Sequence, residues 1–337
     1  MALQFPTTQE LNFVIRNRSG ANAANFIGNS FCPIVPVYAK DIEYDVLEPA
    51  FGMTQAHQIG TDPRTVQIPK MGTKRTGTAY WKETLPLGEE KLLYARLAGT
   101  LNERAGRDLV FQGGLQLDTR LDTRIEWLRW KAVIDGLLDI EENNVKYLVD
   151  YKLPTKTDIS AAVNKWSDPT KSDPAALLTE MVQGYRGTGA AARKVFMNSF
   201  TAGQAVQSAK FIELLKQSNF VGMLSPLDPT PALKLMIPKV EFVVYDEGYL
   251  DEEKNFQMFI PDGEIVMVGD YPGDKVMDFA STISLHNGGI EKPQPGKFSI
   301  VEDKSQAAKN PHVDITVGIY GLPRIFHPDW IKRAKVS

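Results

Sequence analysis

The sequence predicts an α+β fold in which helices and strands are segregated along the chain rather than alternating, and three observations predict it. A leucine-bearing, highly charged helical signal runs through residues 89–138, and the last third carries short alternating strands closed by turn residues. Before both lies an opening of extended segments with too little apolar material for a core of its own.

Taken in order, residues 1–30 hold one short helical signal that begins near Thr7 or Thr8, runs through Leu11, Val14 and Ile15 and stops at Gly20. It is too short and polar to bury itself and reads as an arm that must lie on something else. Over 31–47, Ile34, Val35, Val37, Tyr38, Ile42, Tyr44 and Val46 favour extended backbone, while Pro33 and Pro36 confine the first segment to a sheet edge. Residues 52–88 contain Gly52, Gly60, Gly72, Gly77 and Gly88 and predict a long β-hairpin with its tip near Met71 to Thr76. From Arg64 to Lys82 every charged residue is positive.

Between Glu89 and about Leu109, Leu92, Leu93, Leu97, Leu101 and Leu109 recur among charges, and Gly99 and Gly106 predict a break inside that helical stretch. From Asp118 to about Leu138, Leu121, Ile125, Leu128 and Ala132 form one stripe, and Trp127, Trp130 and Ile134 an adjacent one. At about 1.5 Å per residue this is a rod of roughly 30 Å. Its two stripes imply contacts on more than one side. Asp158 is placed to cap a helix over 159–166, and Asp173, with Pro174 at the first helical position, one over 175–185. Residues 200–217 read as a single amphipathic helix, followed by strands in 240–250, in 257–270 around a Pro-Asp-Gly turn, and in 314–331.

The 337 residues are 43% hydrophobic, 23% charged and 9% aromatic, an ordinary globular composition. No run approaches the roughly 18 apolar residues of a membrane span, and the N-terminus lacks a basic start followed by an apolar block, so neither span nor signal peptide is expected. Cys32 is the only cysteine, which excludes an intrachain disulfide and a cysteine-built zinc site and fits a reducing compartment. A formal charge of −3, from 38 Lys and Arg against 41 Asp and Glu, supplies no global field for nucleic acid.

Signals of catalysis are weak. His57, His286, His312 and His327 are scattered without metal-site spacing, and no phosphate-binding glycine loop, dinucleotide fingerprint or nucleophile elbow occurs, so no metal or cofactor is expected. Cys32 lies between Phe31 and Pro33 and reads as a buried structural thiol. Asp246, Glu247, Asp251, Glu252 and Glu253 cluster, but a glycosidase needs two carboxylates roughly 5 to 10 Å apart across a cleft, and a solvated turn or docking patch is the favoured reading. The basic segment beside Tyr80 and Trp81 could stack on nucleic acid. Docking on an acidic surface of a neighbouring subunit is favoured instead, because 135–142 and 246–253 supply such surfaces. An arm and a hairpin without a core are costly to order in a monomer and become interface in a symmetric assembly.

At this point the residues carry a likeness. FIGNSFCPIVPVYAKDIEYDVLEP (26–49) resembles the stretch near the start of tailed-bacteriophage major capsid proteins of the lambda-type protein E group, where a Phe-x-Pro-x-Val-Pro-Val run precedes a Tyr-bearing strand. The following order is similar too: KRTGTAYWKETLPLGEEKLLYARL (74–97), the helix TRIEWLRWKAVIDGLL (123–138), and FIPDGEIVMVGD (259–270).

The resemblance implies the Hong Kong 97-like fold, with N-terminal arm and leading strands over 1–50, an extended hairpin loop over 51–95, and a peripheral domain with a long spine helix over 96–150. The axial domain and inserted strands would occupy 151–310, and 311–337 would return to the peripheral domain. The implied function is non-enzymatic: a head protein that self-assembles into hexamers and pentamers of an icosahedral shell, made in the host bacterial cytoplasm and residing in the virion. Implied partners are other copies of itself, portal, scaffold and decoration proteins, and double-stranded DNA contacted non-specifically, with no membrane. Arg64, Lys70, Lys74, Arg75 and Lys82 are the expected intersubunit charge contacts. The competing readings are an encapsulin-like nanocompartment, an α+β enzyme using the acids at 246–253, and a nucleic-acid module built on the basic hairpin.

Overall fold

A computed structural model describes residues 7–22, 26–47, 53, 56, 71–91, 102–217, 228–304 and 310–337. The chain forms two compact units: Met1–Ile42, Arg75–Arg129 and Asp278–Arg324 make the first, and Glu43–Lys74, Trp130–Met277 and Ile325–Ser337 the second.

The first unit is organised by the 14-residue strand His312–Ile325. Its first nine residues are flanked on one side by Tyr80–Gly88, in register from His312 opposite Gly88 to Tyr320 opposite Tyr80. On the other side lies Phe298–Asp303, from Phe298 opposite Gly318 to Asp303 opposite Val313. Alternate residues Val313, Ile315, Val317 and Ile319 are buried, the period of two expected of a strand. Met277–Ser284 joins this sheet, and Ile34–Val37 runs parallel to it at the edge. Pro36 sits there because an edge strand can forgo a backbone donor. Met277–Ser284 and Phe298–Asp303, within the 151–310 stretch expected to hold the axial domain and inserted strands, both pair in this sheet.

The arm helix Thr8–Asn22 starts with a reciprocal cap: Glu10 N donates to Thr7 Oγ1 at 3.2 Å, and Thr7 N to Glu10 Oε2 at 2.8 Å. Leu11 and Ile15 are fully buried. Asn12 Oδ1 accepts from Ser299 N at 2.8 Å, and Thr8 Oγ1 accepts from Val301 N at 3.1 Å. The helix therefore covers the otherwise open edge of the chain's own Phe298–Asp303 strand. The expectation that the arm finds no cover within its own subunit is corrected for these residues.

The long helix Asn102–Ile134 is one 33-residue element. Residues 92–101 of the expected break lie outside the described residues, and Gly106 does not interrupt the helix. Further along, Gly113 faces Ile315 and Leu85, and Gly114 faces Leu11, so the helix approaches sheet and arm where a side chain would collide. Two more expectations change. Residues 159–166 are turns, with Asp158 accepting from Ser160 N (2.9 Å) instead of capping a helix. The stretch 200–217 is two helices, Ser199–Val206 and Ala209–Gln217, broken where Ser208 Oγ donates to Ser172 O at 2.8 Å. Asp173 does cap its helix, Pro174–Gln183, accepting from Ala176 N at 3.1 Å.

The second unit holds a five-stranded sheet in the order Thr157–Asp158, Ile331–Lys335, Glu264–Asp270, Ala191–Met197, Glu241–Val244. The central Glu264–Asp270 follows the Pro-Asp-Gly turn, closed by Glu264 N donating to Pro261 O at 3.2 Å. Trp130 packs against Phe196 (5.2 Å between ring centres) and Tyr245 (5.5 Å).

Candidate intersubunit surfaces

Met71–Thr76 is a strand, not the tip of a hairpin: it forms a two-stranded sheet with Ile42–Leu47. Thr73 Oγ1 donates to Asp45 Oδ1 at 2.7 Å, and Arg75 Nη2 to Asp41 Oδ2 at 2.7 Å. The partner strand Ile42–Leu47 alternates apolar and acidic residues over 42–46, and the bonds from Thr73 to its Asp45 and from Arg75 to the neighbouring Asp41 hold KRT extended where its glycine neighbour suggests a turn.

Of the five expected contact residues, Arg64 and Lys70 lie outside the described residues. Lys74 Nζ donates to Asp150 O at 3.2 Å, and its partial burial lowers the ammonium pKa. Arg75 meets Asp41 with two-thirds of its side chain exposed. Lys82 is exposed on Tyr80–Gly88, opposite Gly318. Lys74 and Arg75 each have a partner within their own unit, and Lys82 lies on Tyr80–Gly88, a strand of the six-stranded sheet.

Trp81 does not offer a platform for bases. Trp81 is buried, with Nε1 donating to Gly321 O at 3.0 Å, and Arg124 lies 4.5 Å from the centres of both the Trp81 and Trp127 rings. Tyr80 meets Tyr320 edge-on at 4.6 Å. Next to them, Arg120 grips Glu83 with Nε at 2.5 Å and Nη2 at 2.9 Å, a fork that holds the Glu83 carboxyl below its ordinary range.

The acidic cluster at 246–253 is used for local structure. Asp246 Oδ1 accepts from Ser199 N at 2.7 Å, at the start of a helix. Asp251 accepts from Asn255 N at 2.8 Å and Gln257 Nε2 at 3.2 Å, and the backbone donor lowers its pKa. These are the bonds of a turn, not of an acid and base facing across a cleft. Among the described residues no group of three or more His, Cys, Asp or Glu could hold a metal ion, and no helix is long and apolar enough to cross a membrane.

Residues 7–284 match the family described as phage major capsid protein E. The chain belongs to that family. It is therefore a structural protein of the phage head, a component of the virion shell. Solved structures agree on the fold. A prophage capsid-protein candidate from Escherichia coli CFT073 is similar at 17% identity and TM-score 0.66, covering 99% of this chain and 100% of that one. A phage-related protein of Bordetella bronchiseptica RB50 is similar at 11% identity and TM-score 0.59, covering 96% of each chain. The capsid of cyanophage P-SCSP1u gives 10% identity and TM-score 0.53, over 90% of this chain and 86% of that chain. The Hong Kong 97-like, mixed α+β fold of tailed-phage capsid proteins is thus the fold of this chain.

What sequence inspection missed in this capsid protein is a set of buried charges in the first unit. Lys297 Nζ lies 2.6 Å from Asp118 Oδ1 and 2.5 Å from Asp122 Oδ1. Arg324 forks onto Asp278 with both bonds at 2.8 Å. Glu126, fully buried, accepts from Gly28 N at 2.8 Å and from Arg129 Nη1 at 3.1 Å. Gly28 is required there, since a β-carbon would run into the Glu126 carboxylate. Asp118, Asp122 and Glu126 recur every four residues beside the Leu117, Leu121, Ile125 stripe, and that ladder is the signal that could have been found.

Proposed function

We propose that this capsid protein assembles as hexamers and pentamers into a closed icosahedral shell around double-stranded DNA. The observation that carries the reading is the family match over 7–284, joined to a tailed-phage capsid fold along almost the whole chain. Mechanism in such a shell is mechanical: each subunit is held by many weak contacts repeated by symmetry, so avidity replaces a single strong site. Catalysis has no part in it, and the turn bonding of the 246–253 acids is consistent with that.

Arg64, Lys70, Lys74, Arg75 and Lys82 are proposed as intersubunit charge contacts, each exposed pair worth about 0–1 kcal/mol. Lys82 is the sharpest of them, because Lys74 and Arg75 already have bonds inside the subunit. Portal and scaffold proteins and the packaged genome are the further proposed partners. The test is negative-stain electron microscopy with sedimentation of the protein expressed alone and with its neighbouring genes. Closed shells or capsomer rings support the reading, and a uniform monomer under both conditions overturns it. Empty particles carrying a co-purified enzyme would redirect it to a nanocompartment.

A further inference from the structure

Gly248–Leu250 and Phe256–Met258 form a separate hairpin, with Leu250 opposite Phe256 and Gly248 opposite Met258. Alternation puts these four on one face and Tyr249 and Gln257 on the other. Tyr249 rests on Phe259, 5.9 Å between ring centres. The opposite face is apolar and wet: Leu250 is 66% exposed, Phe256 56% and Met258 36%. The hairpin's root is held where Asn198 Nδ2 meets Met258 Sδ at 3.5 Å, and Phe200, two residues further along the chain, is 51% exposed. The turn between the strands carries Asp251, Glu252 and Glu253 with Lys254, and is net acidic. Two strands of three residues are marginal in water on their own, and an apolar centre with a charged rim is the anatomy of a docking surface.

A complementary surface occurs in the same unit. The hairpin's root meets the start of the helix Ser199–Val206 through Asp246 and Ser199 N. At the other end of that helix, Val206 packs on Phe211, Leu215 and Ala232, which join Ala209–Gln217 to the short helix Thr230–Met236. The outer side of this pair exposes Lys216 and Lys234, with Lys239 just beyond and Leu214 half exposed. The hairpin's root and the Phe211, Leu215, Ala232 cluster thus lie at the two ends of a helix about 12 Å long. The two surfaces differ and carry opposite charge, so between copies they would meet as a heterologous contact, the kind that closes a ring.

We infer that the 248–258 hairpin of one subunit docks its apolar face on the 209–217 and 230–236 helices of a second copy of this chain, with its acidic turn against Lys216, Lys234 and Lys239. The inference rests on the shell reading above. The test compares assembly of the wild type, Glu252→Lys/Glu253→Lys, Lys216→Glu/Lys234→Glu, and all four substitutions together, by sedimentation and electron microscopy. Each double variant is expected to keep the wild-type circular dichroism and to lose at least about tenfold of its assembled fraction, and the fourfold variant to recover it. Should the hairpin variant fail to fold, the lysine variant alone reads the same contact. Wild-type shells beside normal shells from either folded double variant overturn the pairing alone, as does a fourfold variant that stays unassembled. A wild type that never assembles overturns the shell reading and the pairing with it.

Discussion

The first unit buries ion pairs among its polar contacts, Lys297 with Asp118 and Asp122, Arg324 with Asp278, and Arg129 with Glu126, beside neutral bonds such as Trp81 Nε1 to Gly321 O. In the second the buried polar contacts are mostly bonds to backbone carbonyls. Tyr185 Oη donates to Met267 O at 2.9 Å or Trp330 O at 3.0 Å, Trp330 Nε1 to Thr188 O at 3.0 Å, and Arg333 to Ile134 O (3.1 Å) and Pro154 O (2.7 Å). The one close ion pair on that sheet, Lys156 with Glu264 at 2.5 Å, is partly solvated. The difference teaches where each unit is brittle. A neutral bond can be lost for about 1 kcal/mol, whereas removing one member of a buried ion pair strands a charge. Lys297 ties the long helix to the residue before the Phe298–Asp303 strand, and the Glu126 carboxylate, paired with Arg129 on the same helix, holds Gly28 N of the arm segment.

The contrast can be broken from its strong side first. Lys297→Met leaves Asp118 and Asp122 uncompensated and is expected to cost about 3–5 kcal/mol in urea unfolding of the unassembled subunit. Gly28→Ala should displace Glu126 from its two partners at about 1–3 kcal/mol, read as a lowered urea midpoint. Tyr185→Phe keeps the ring and loses only the hydroxyl, so about 1 kcal/mol is expected, and an effect as large as that of Lys297→Met would abolish the contrast.

The smallest effect has the opposite sign. Burial raises the Asp122 pKa above its ordinary range against the pull of Lys297. A group whose folded pKa lies above its unfolded value favours the fold below the unfolded pKa, and that contribution is lost as pH rises through the folded pKa. Asp122→Asn should therefore melt slightly higher than the wild type at neutral pH, with the gap closing on acidification through the carboxylate range. An Asp122→Asn variant that melts below the wild type at neutral pH would show that Asp122 acts as a fully formed ion-pair partner instead.

Strand alternation and turn chemistry made much of the fold legible: the Asp173 cap with Pro174, the Pro-Asp-Gly turn and the proline-marked edge strand follow from local rules. The misses share a cause. Whether 71–76 turns or pairs depends on Asp41 and Asp45, some thirty residues earlier, and whether 200–217 is one helix or two depends on Ser172, whose carbonyl takes the Ser208 hydroxyl at the break. Local propensity cannot contain a partner that arrives from elsewhere in the chain. Surface charges are harder still, because Lys74 or Arg75 reads as a free cation in one dimension and as a bonded one in three.

Cys32 offers a practical use of the first unit's closure. It is the only cysteine, fully buried beside Arg129, and burial pushes its thiol pKa up to about 12. Alkylation must wait for the protein to open, since only the thiolate reacts and only an exposed one can be reached. Timed capture by a maleimide would therefore serve as a built-in clock for opening of the first unit, in the free subunit and again inside the finished particle. The ratio of the two rates would measure how far the lattice slows the breathing of its own bricks.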